Sequence, residues 1–141
     1  MKKILIINSN YYKTISNNLL DSVKKKLVSS KFSISVVNAP GIFEIPFLIR
    51  KNIKKFDAFV ALGCVIKGQT PHFELICSST FNAILKITID FNKPISNGII
   101  TALNMRQAIN RSKKNPLKNS NKGVEAANAL ISILNNETKK F

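Results

Sequence analysis

Strand-like and helix-like patterns alternate along this 141-residue chain from one end to the other, and that alternation leaves few folds open. The apolar runs at 4–7 and 57–63 are too short for helices and read as strands buried on both faces. Residues 33–37, where Ile34 and Val36 alternate with Ser33 and Ser35, read as a further strand, and 95–101 follow Pro94 as a fourth. Helical spacing appears at 16–29, where Leu19, Leu20, Val23 and Leu27 share a face, and at 73–90, where Ile76, Cys77, Ala83, Ile84 and Ile87 point inward. Pro46 suits the first turn of a shorter helix that runs to about residue 54. Two more helices follow at 104–111 and 124–134, separated by a polar loop at 112–121. Strands and helices in strict alternation predict an α/β fold, a parallel sheet covered on both faces.

The length suits one domain spanning 1–141, large enough to bury a core without staples. There are no internal repeats. Met1-Lys2-Lys3 precedes only four apolar residues, too few for a secretory leader, and no run approaches membrane-spanning length. The expectation is a cytoplasmic protein without membrane contact, its two cysteines, Cys64 and Cys77, kept as buried thiols.

A net charge of +15 raises the question of nucleic acid. Of the 22 cations only Arg50, Arg106 and Arg111 are arginine, whereas phosphate and base readout favour arginine. The chain is equally heavy in Asn and Ile, so solvated lysine faces are the expectation and nucleic acid is not an expected partner. Arg111, with Lys113, Lys114, Lys118 and Lys122, forms a late cation cluster. The cluster reads mostly as a solvated loop, within which the guanidinium also suits phosphate through paired hydrogen bonds.

Three loops follow strand ends, at 8–13, 38–44 and 64–72, and in a doubly wound sheet such loops converge on one edge, where ligands bind. The first carries Tyr11 and Tyr12, which suit either stacking on a planar heterocycle or ordinary partial burial. The second carries Glu44 between Phe43 and Ile45, a carboxylate either at a loop surface or held by hydrogen bonds. The third carries Gly68, Gln69 and Thr70 ahead of a helix start near Pro71, where backbone N–H groups can face an anion. The only histidine, His72, stands there, as a proton-transfer group or as a helix-start residue with a structural hydrogen bond. Neither a phosphate-loop signature nor a dinucleotide fingerprint is present. One histidine and two cysteines thirteen positions apart supply no recognisable zinc pattern, and no nucleophile elbow occurs.

Several segments then match one family in register from about residue 4 to 134: Pro40-Gly41-Ile42-Phe43-Glu44-Ile45-Pro46; Ala61-Leu62-Gly63-Cys64-Val65-Ile66-Lys67-Gly68-Gln69-Thr70-Pro71-His72-Phe73-Glu74; Asn97-Gly98-Ile99-Ile100-Thr101; Gln107-Ala108-Ile109; and Asn121-Lys122-Gly123-Val124-Glu125-Ala126-Ala127. The chain closely resembles the 6,7-dimethyl-8-ribityllumazine synthases. The resemblance implies a flavodoxin-like three-layer sandwich on a four-stranded parallel sheet, assembled at least into pentamers with each site between neighbouring subunits. It implies condensation of 5-amino-6-(D-ribitylamino)uracil with 3,4-dihydroxy-2-butanone 4-phosphate, with loss of phosphate and water, without metal or organic cofactor.

By position in that family, Tyr11 would stack on the pyrimidine, where relatives carry Phe or Trp. Ile42, Phe43 and Glu44 would hold the ribityl chain, while Cys64, Val65 and Ile66 would frame the uracil edge. Gln69, Thr70 and Arg111 would take the phosphate, and His72 would be the acid and base. Asn97 stands where many relatives have Phe and would make one pocket wall polar; Gln69 replaces a more common Ala. The longer loop before Asn121, stiffened by Pro116, and a start close to the first strand lead to the expectation of a pentamer or decamer rather than an icosahedral shell. A non-catalytic lumazine or flavin binder would have no use for His72, Gln69-Thr70 and Arg111 together. Riboflavin synthase activity remains an alternative, against which His72 and Gln69 count.

Overall fold

The computed structural model describes residues 1–114 and 121–136. Its elements run β1 (Lys3–Ser9), α1 (Lys13–Ser29), β2 (Ser33–Ala39), a 3-10 turn (Ile42–Glu44), α2 (Ile45–Lys51), β3 (Ala58–Ile66), α3 (His72–Phe91), β4 (Ile95–Ala102), α4 (Met105–Asn110) and α5 (Lys122–Asn135). The four strands form one all-parallel sheet in the order β2-β1-β3-β4. From β1 the chain moves outward to β2, and from β3 it moves outward the other way to β4. The switch point therefore lies between β1 and β3, where loops diverge and leave a crevice.

Alternating side chains feed two core layers. Ile4, Ile6, Val60, Leu62 and Ile100 pack under α1 and α5, while Leu5, Ile7, Phe59, Ala61 and Ile99 pack under α2 and α3. This is the expected three-layer α/β sandwich. Gly98 lets α5 close on the sheet, because a Cβ there would sit 2.6 Å from Leu62 Cδ2 and 3.2 Å from Ala126 Cβ.

Element boundaries differ from the sequence expectation in instructive ways. β3 does not end at Gly63; it continues through Cys64, Val65 and Ile66, which pair with Ile100, Thr101 and Ala102 of β4. A partner strand running alongside keeps these residues extended, and Gly63 has no positive φ to turn the chain. α1 starts a turn early, since Ser16, which reads as the first helical residue, donates its hydroxyl 2.6 Å back to the Ser9 carbonyl from inside the first turn. α2 stops at Lys51, three residues short of the expectation. The carbonyls beyond it are taken by Lys93, whose ammonium donates to those of Ile53 and Phe56. In β2 the serine-against-aliphatic alternation fails, because this edge strand leaves Val36 exposed and turns Val37 toward the α2 and α3 layer.

The late loop is anchored at both ends by Asn121, which is 1% exposed. Its amide donates to the Lys113 carbonyl at 3.0 Å while its oxygen caps α5 by accepting from the Val124 N–H at 3.0 Å. Pro116 and Lys118 lie outside the described residues.

Candidate active site

At the switch point a cavity of about 480 Å³ opens between the carboxyl ends of β1 and β3 and the turn after β2. β1 supplies Ser9 and the following loop Tyr11 and Tyr12. The segment after β2 supplies Pro40 through Glu44, and β3 supplies Cys64, Val65 and Ile66. His72 and Ile76, one helical turn apart on α3, complete the lining. Three sequence-distant segments thus arrive at one place because parallel strands deliver all their carboxyl ends to one edge.

The local chemistry differs from wall to wall. Tyr11 is 72% exposed at the mouth, whereas Tyr12 is half-buried against the α1 and α5 core. Their rings meet edge to face, with centroids 5.0 Å apart and planes at 83°. Burial pushes the Tyr12 phenol up from its ordinary pKa, and the neighbouring Cys64 and Tyr11 add to the shift. The Cys64 thiol is buried and pushed up to about 11 by loss of solvation, so it stays neutral at physiological pH. Glu44 is exposed and accepts a 3.1 Å hydrogen bond from the Gly41 N–H, which curls the 3-10 turn and fixes the carboxylate at the cavity edge. Phe43 beside it is largely exposed, while Ile42 points into the core.

His72 is the first residue of α3, after Pro71, and no side chain caps that helix start. Its first N–H groups are therefore available to an anion. Gln69 and Thr70 sit exposed in the loop just before it and do not themselves line the cavity. A 3.6 Å ion pair between Lys67 and Glu74 bridges the two ends of that loop.

Two expected site residues lie elsewhere in this chain. Asn97 is half-buried on edge strand β4 opposite Ala61, three rungs before the Cys64–Ile100 pair, which is about 10 Å along the strand. Its side-chain oxygen accepts from the Ile99 N–H at 3.0 Å. Arg111 is exposed at the end of α4, its carbonyl accepting from the Lys122 N–H at 2.9 Å. Neither lines the cavity.

Ser9, Pro40, Gly41 and Ile76 line the cavity without having been singled out as binding residues. Ile76 was legible, being four residues after His72 on an amphipathic helix; Ser9 carried no signal beyond its place at a strand end. A larger groove, about 600 Å³, runs between α1 and the start of α5, lined by Asp21, Lys25, Lys26 and Lys114. It lies away from the strand ends and brings neither an aromatic ring nor the histidine, and Lys114 is paired with Asp21 at 2.9 Å. Among the described residues no group of His, Cys, Asp and Glu could hold a metal ion, and no helix is long and apolar enough to cross a membrane.

A doubly wound sheet that places an aromatic wall, neutral polar groups and a histidine at its switch point defines an enzyme of the open α/β class, with a cavity sized for a small planar molecule. The family model described as 6,7-dimethyl-8-ribityllumazine synthase matches residues 1–138. The chain belongs to this family, transferases of riboflavin biosynthesis. Proteins named 6,7-dimethyl-8-ribityllumazine synthase from Campylobacter jejuni (strain RM1221) and Campylobacter curvus (strain 525.92) are 36% and 34% identical to it. These alignments cover 94% and 95% of this chain and 88% and 87% of the relatives. One of the same name from Corynebacterium kroppenstedtii is 33% identical over 92% of this chain and 80% of its own length.

Proposed function

We propose that this chain condenses 5-amino-6-(D-ribitylamino)uracil with 3,4-dihydroxy-2-butanone 4-phosphate, with its residues dividing the work as follows. Tyr11 stacks on the pyrimidine, and Cys64, Val65 and Ile66 frame the uracil edge at the end of β3. Ile42, Phe43 and Glu44 receive the ribityl chain, with the Glu44 carboxylate accepting from its hydroxyls. The phosphate of the second substrate sits at the open start of α3 with Gln69 and Thr70. His72, the next residue, moves protons as the amine attacks the ketone, phosphate departs and the ring closes. The convergence of Tyr11, residues 42–44, residues 64–66 and His72 on one cavity carries this reading.

Asn97 and Arg111 then act from a neighbouring copy. Their distance from the cavity of their own chain supports a site shared between subunits, as do exposed apolar side chains on the outer faces of α3 (Leu75, Leu85, Ile89) and around α4 (Leu103, Met105, Ile109). A pentamer or decamer of the single domain, residues 1–141, is the assembly we favour over an icosahedral shell. Two free cysteines, both pushed toward the neutral thiol by burial, suit a cytoplasmic setting. No nucleic acid, membrane, metal or organic cofactor enters this reading.

Holding two reactive substrates together removes a bimolecular entropy cost of up to roughly 7–11 kcal/mol. His72→Ala is therefore expected to lower kcat by about a hundredfold or less, toward the weak end of general acid–base effects, without abolishing turnover. Arg111→Ala is expected to raise KM for the phosphorylated substrate about tenfold or more while leaving KM for the aminouracil in place. The assay follows lumazine absorbance against the uncatalysed background. A background rate from folded protein would refute the enzymatic reading, and parental turnover in His72→Ala would remove the proton-transfer role.

A further inference from the structure

Tyr11 is exposed over most of its surface, and an unsupported ring at a cavity mouth would have to give up side-chain freedom each time a ligand stacked on it. The fold supplies a support. Tyr12, the residue that caps the start of α1, turns its own ring into the partly buried layer under α1 and α5 and meets Tyr11 edge to face at 5.0 Å and 83°. Adjacent residues in an extended segment project to opposite sides. Here the bend at residue 11 and the entry into α1 bring the two rings together instead. The edge-to-face arrangement directs a positive ring edge at a negative ring face and so favours one orientation over others.

We propose that Tyr12 is a positioning residue that holds the Tyr11 ring at the angle in which it receives the pyrimidine. The inference deepens the proposed function and rests on Tyr11 being the stacking surface. Tyr12 acts through its aromatic ring, which meets that of Tyr11 edge to face. It follows that Tyr12→Phe retains the role and Tyr12→Leu, which fills much of the same apolar space without a ring edge, loses it.

The test uses a property of the whole chain: Tyr11 and Tyr12 are its only tyrosines, and it has no tryptophan. In both Tyr12 variants Tyr11 is the only tyrosine, so with excitation at wavelengths where phenylalanine does not absorb, its emission anisotropy reports its freedom directly, before any substrate is added. Lower anisotropy is expected in Tyr12→Leu than in Tyr12→Phe. KM for the aminouracil is expected to be about two- to twelvefold higher in the leucine variant, the equilibrium equivalent of one edge-to-face pair. The ratio of the two variants in KM for the phosphorylated substrate should stay within about twofold, because that substrate does not stack on the ring. Equal anisotropy, or equal aminouracil KM, in the two variants overturns the inference. A separate Tyr11→Leu variant with parental aminouracil KM would overturn the stacking role itself, whatever the anisotropy shows.

Discussion

Gly63 couples the sheet to the cavity, and replacing it tests that coupling. It lies in β3 one residue before Cys64, and it has no positive φ, so it is there for space rather than for backbone freedom. A Cβ at this position would stand 2.8 Å from Ile42 Cγ2 and 3.0 Å from Ser9 Cβ. Ordinary carbon contacts lie near about 3.5–4.0 Å, so Ile42 or Ser9 has to retreat by roughly 0.5–1 Å. Ser9 is held in central strand β1, whereas Ile42 begins the short 3-10 turn that carries Phe43 and Glu44. The turn should therefore yield, and with it the proposed ribityl contacts. Overpacking of this kind costs about 1–3 kcal/mol, and a displacement near 1 Å at a site can cost as much as about a hundredfold in rate. We expect Gly63→Ala to lower the urea midpoint with m unchanged and to reduce kcat/KM by at least about tenfold. Ile42→Ala removes the clashing methyl at its own cost of about 2–5 kcal/mol. The double variant should be more stable than the sum of the two by about 1 kcal/mol, because the added methyl now fills space. Strict additivity, or a Gly63→Ala protein with parental midpoint and kcat/KM, would refute the argument.

Two further outcomes follow from groups the proposed chemistry does not consume. The neutral Cys64 thiol is favoured by folding, since its pKa is raised to about 11 in the folded chain. Its contribution is therefore fully present below the unfolded value near 9 and is lost as pH rises through about 11. Up to roughly 2–3 kcal/mol rides on that window, and Cys64→Ser should flatten the fall in urea midpoint between pH 8.5 and about 11; an unchanged slope would show that other groups cause it. Lys93→Met keeps the apolar stem but strips the carbonyls of Ile53 and Phe56 of a charged donor, at about 2–3 kcal/mol. The loss should appear in the urea midpoint and not in either KM, and a parental midpoint would mean that water replaces the ammonium at no cost.

Much of this molecule is legible in the sequence because its logic is periodic. Strand and helix patterns alternate cleanly, and a parallel sheet sends every strand's carboxyl end to the same edge. Tyr11, Glu44 and His72 could thus be brought together from three loops before any coordinates. What periodicity cannot supply is lateral context. β3 passes Gly63 because β4 runs beside it, and the carbonyls of Ile53 and Phe56 just beyond α2 are taken by Lys93, some forty residues away in sequence. Val36 faces solvent because β2 is an edge. Asn97 and Arg111 were assigned to the site through family position, and a sequence motif carries no information about which copy of a chain delivers a residue.

His72 is exposed in the isolated chain, as are Gln69 and Thr70, so the end of the cavity at the start of α3 faces bulk water. The other end does not: Ile42 and Cys64 are buried, and Cys64 and Tyr12 are held in their neutral forms. The cavity is thus graded from a dry, uncharged floor suited to a neutral heterocycle to a wet, open rim suited to an anion, with His72 on the boundary where an amine and a ketone would meet. A proton shuttle at such a boundary gains most when the rim is covered as well, since excluding water strengthens both the phosphate contacts and the orientation of the two reactants. Within one chain nothing described covers it. An assembly that lays the β4 and α4 side of one subunit over the α3 side of the next would close the rim, deliver Arg111 to the phosphate and bury the exposed apolar faces of α3 and α4 in a single contact, and in such an assembly oligomerisation and catalysis would be coupled.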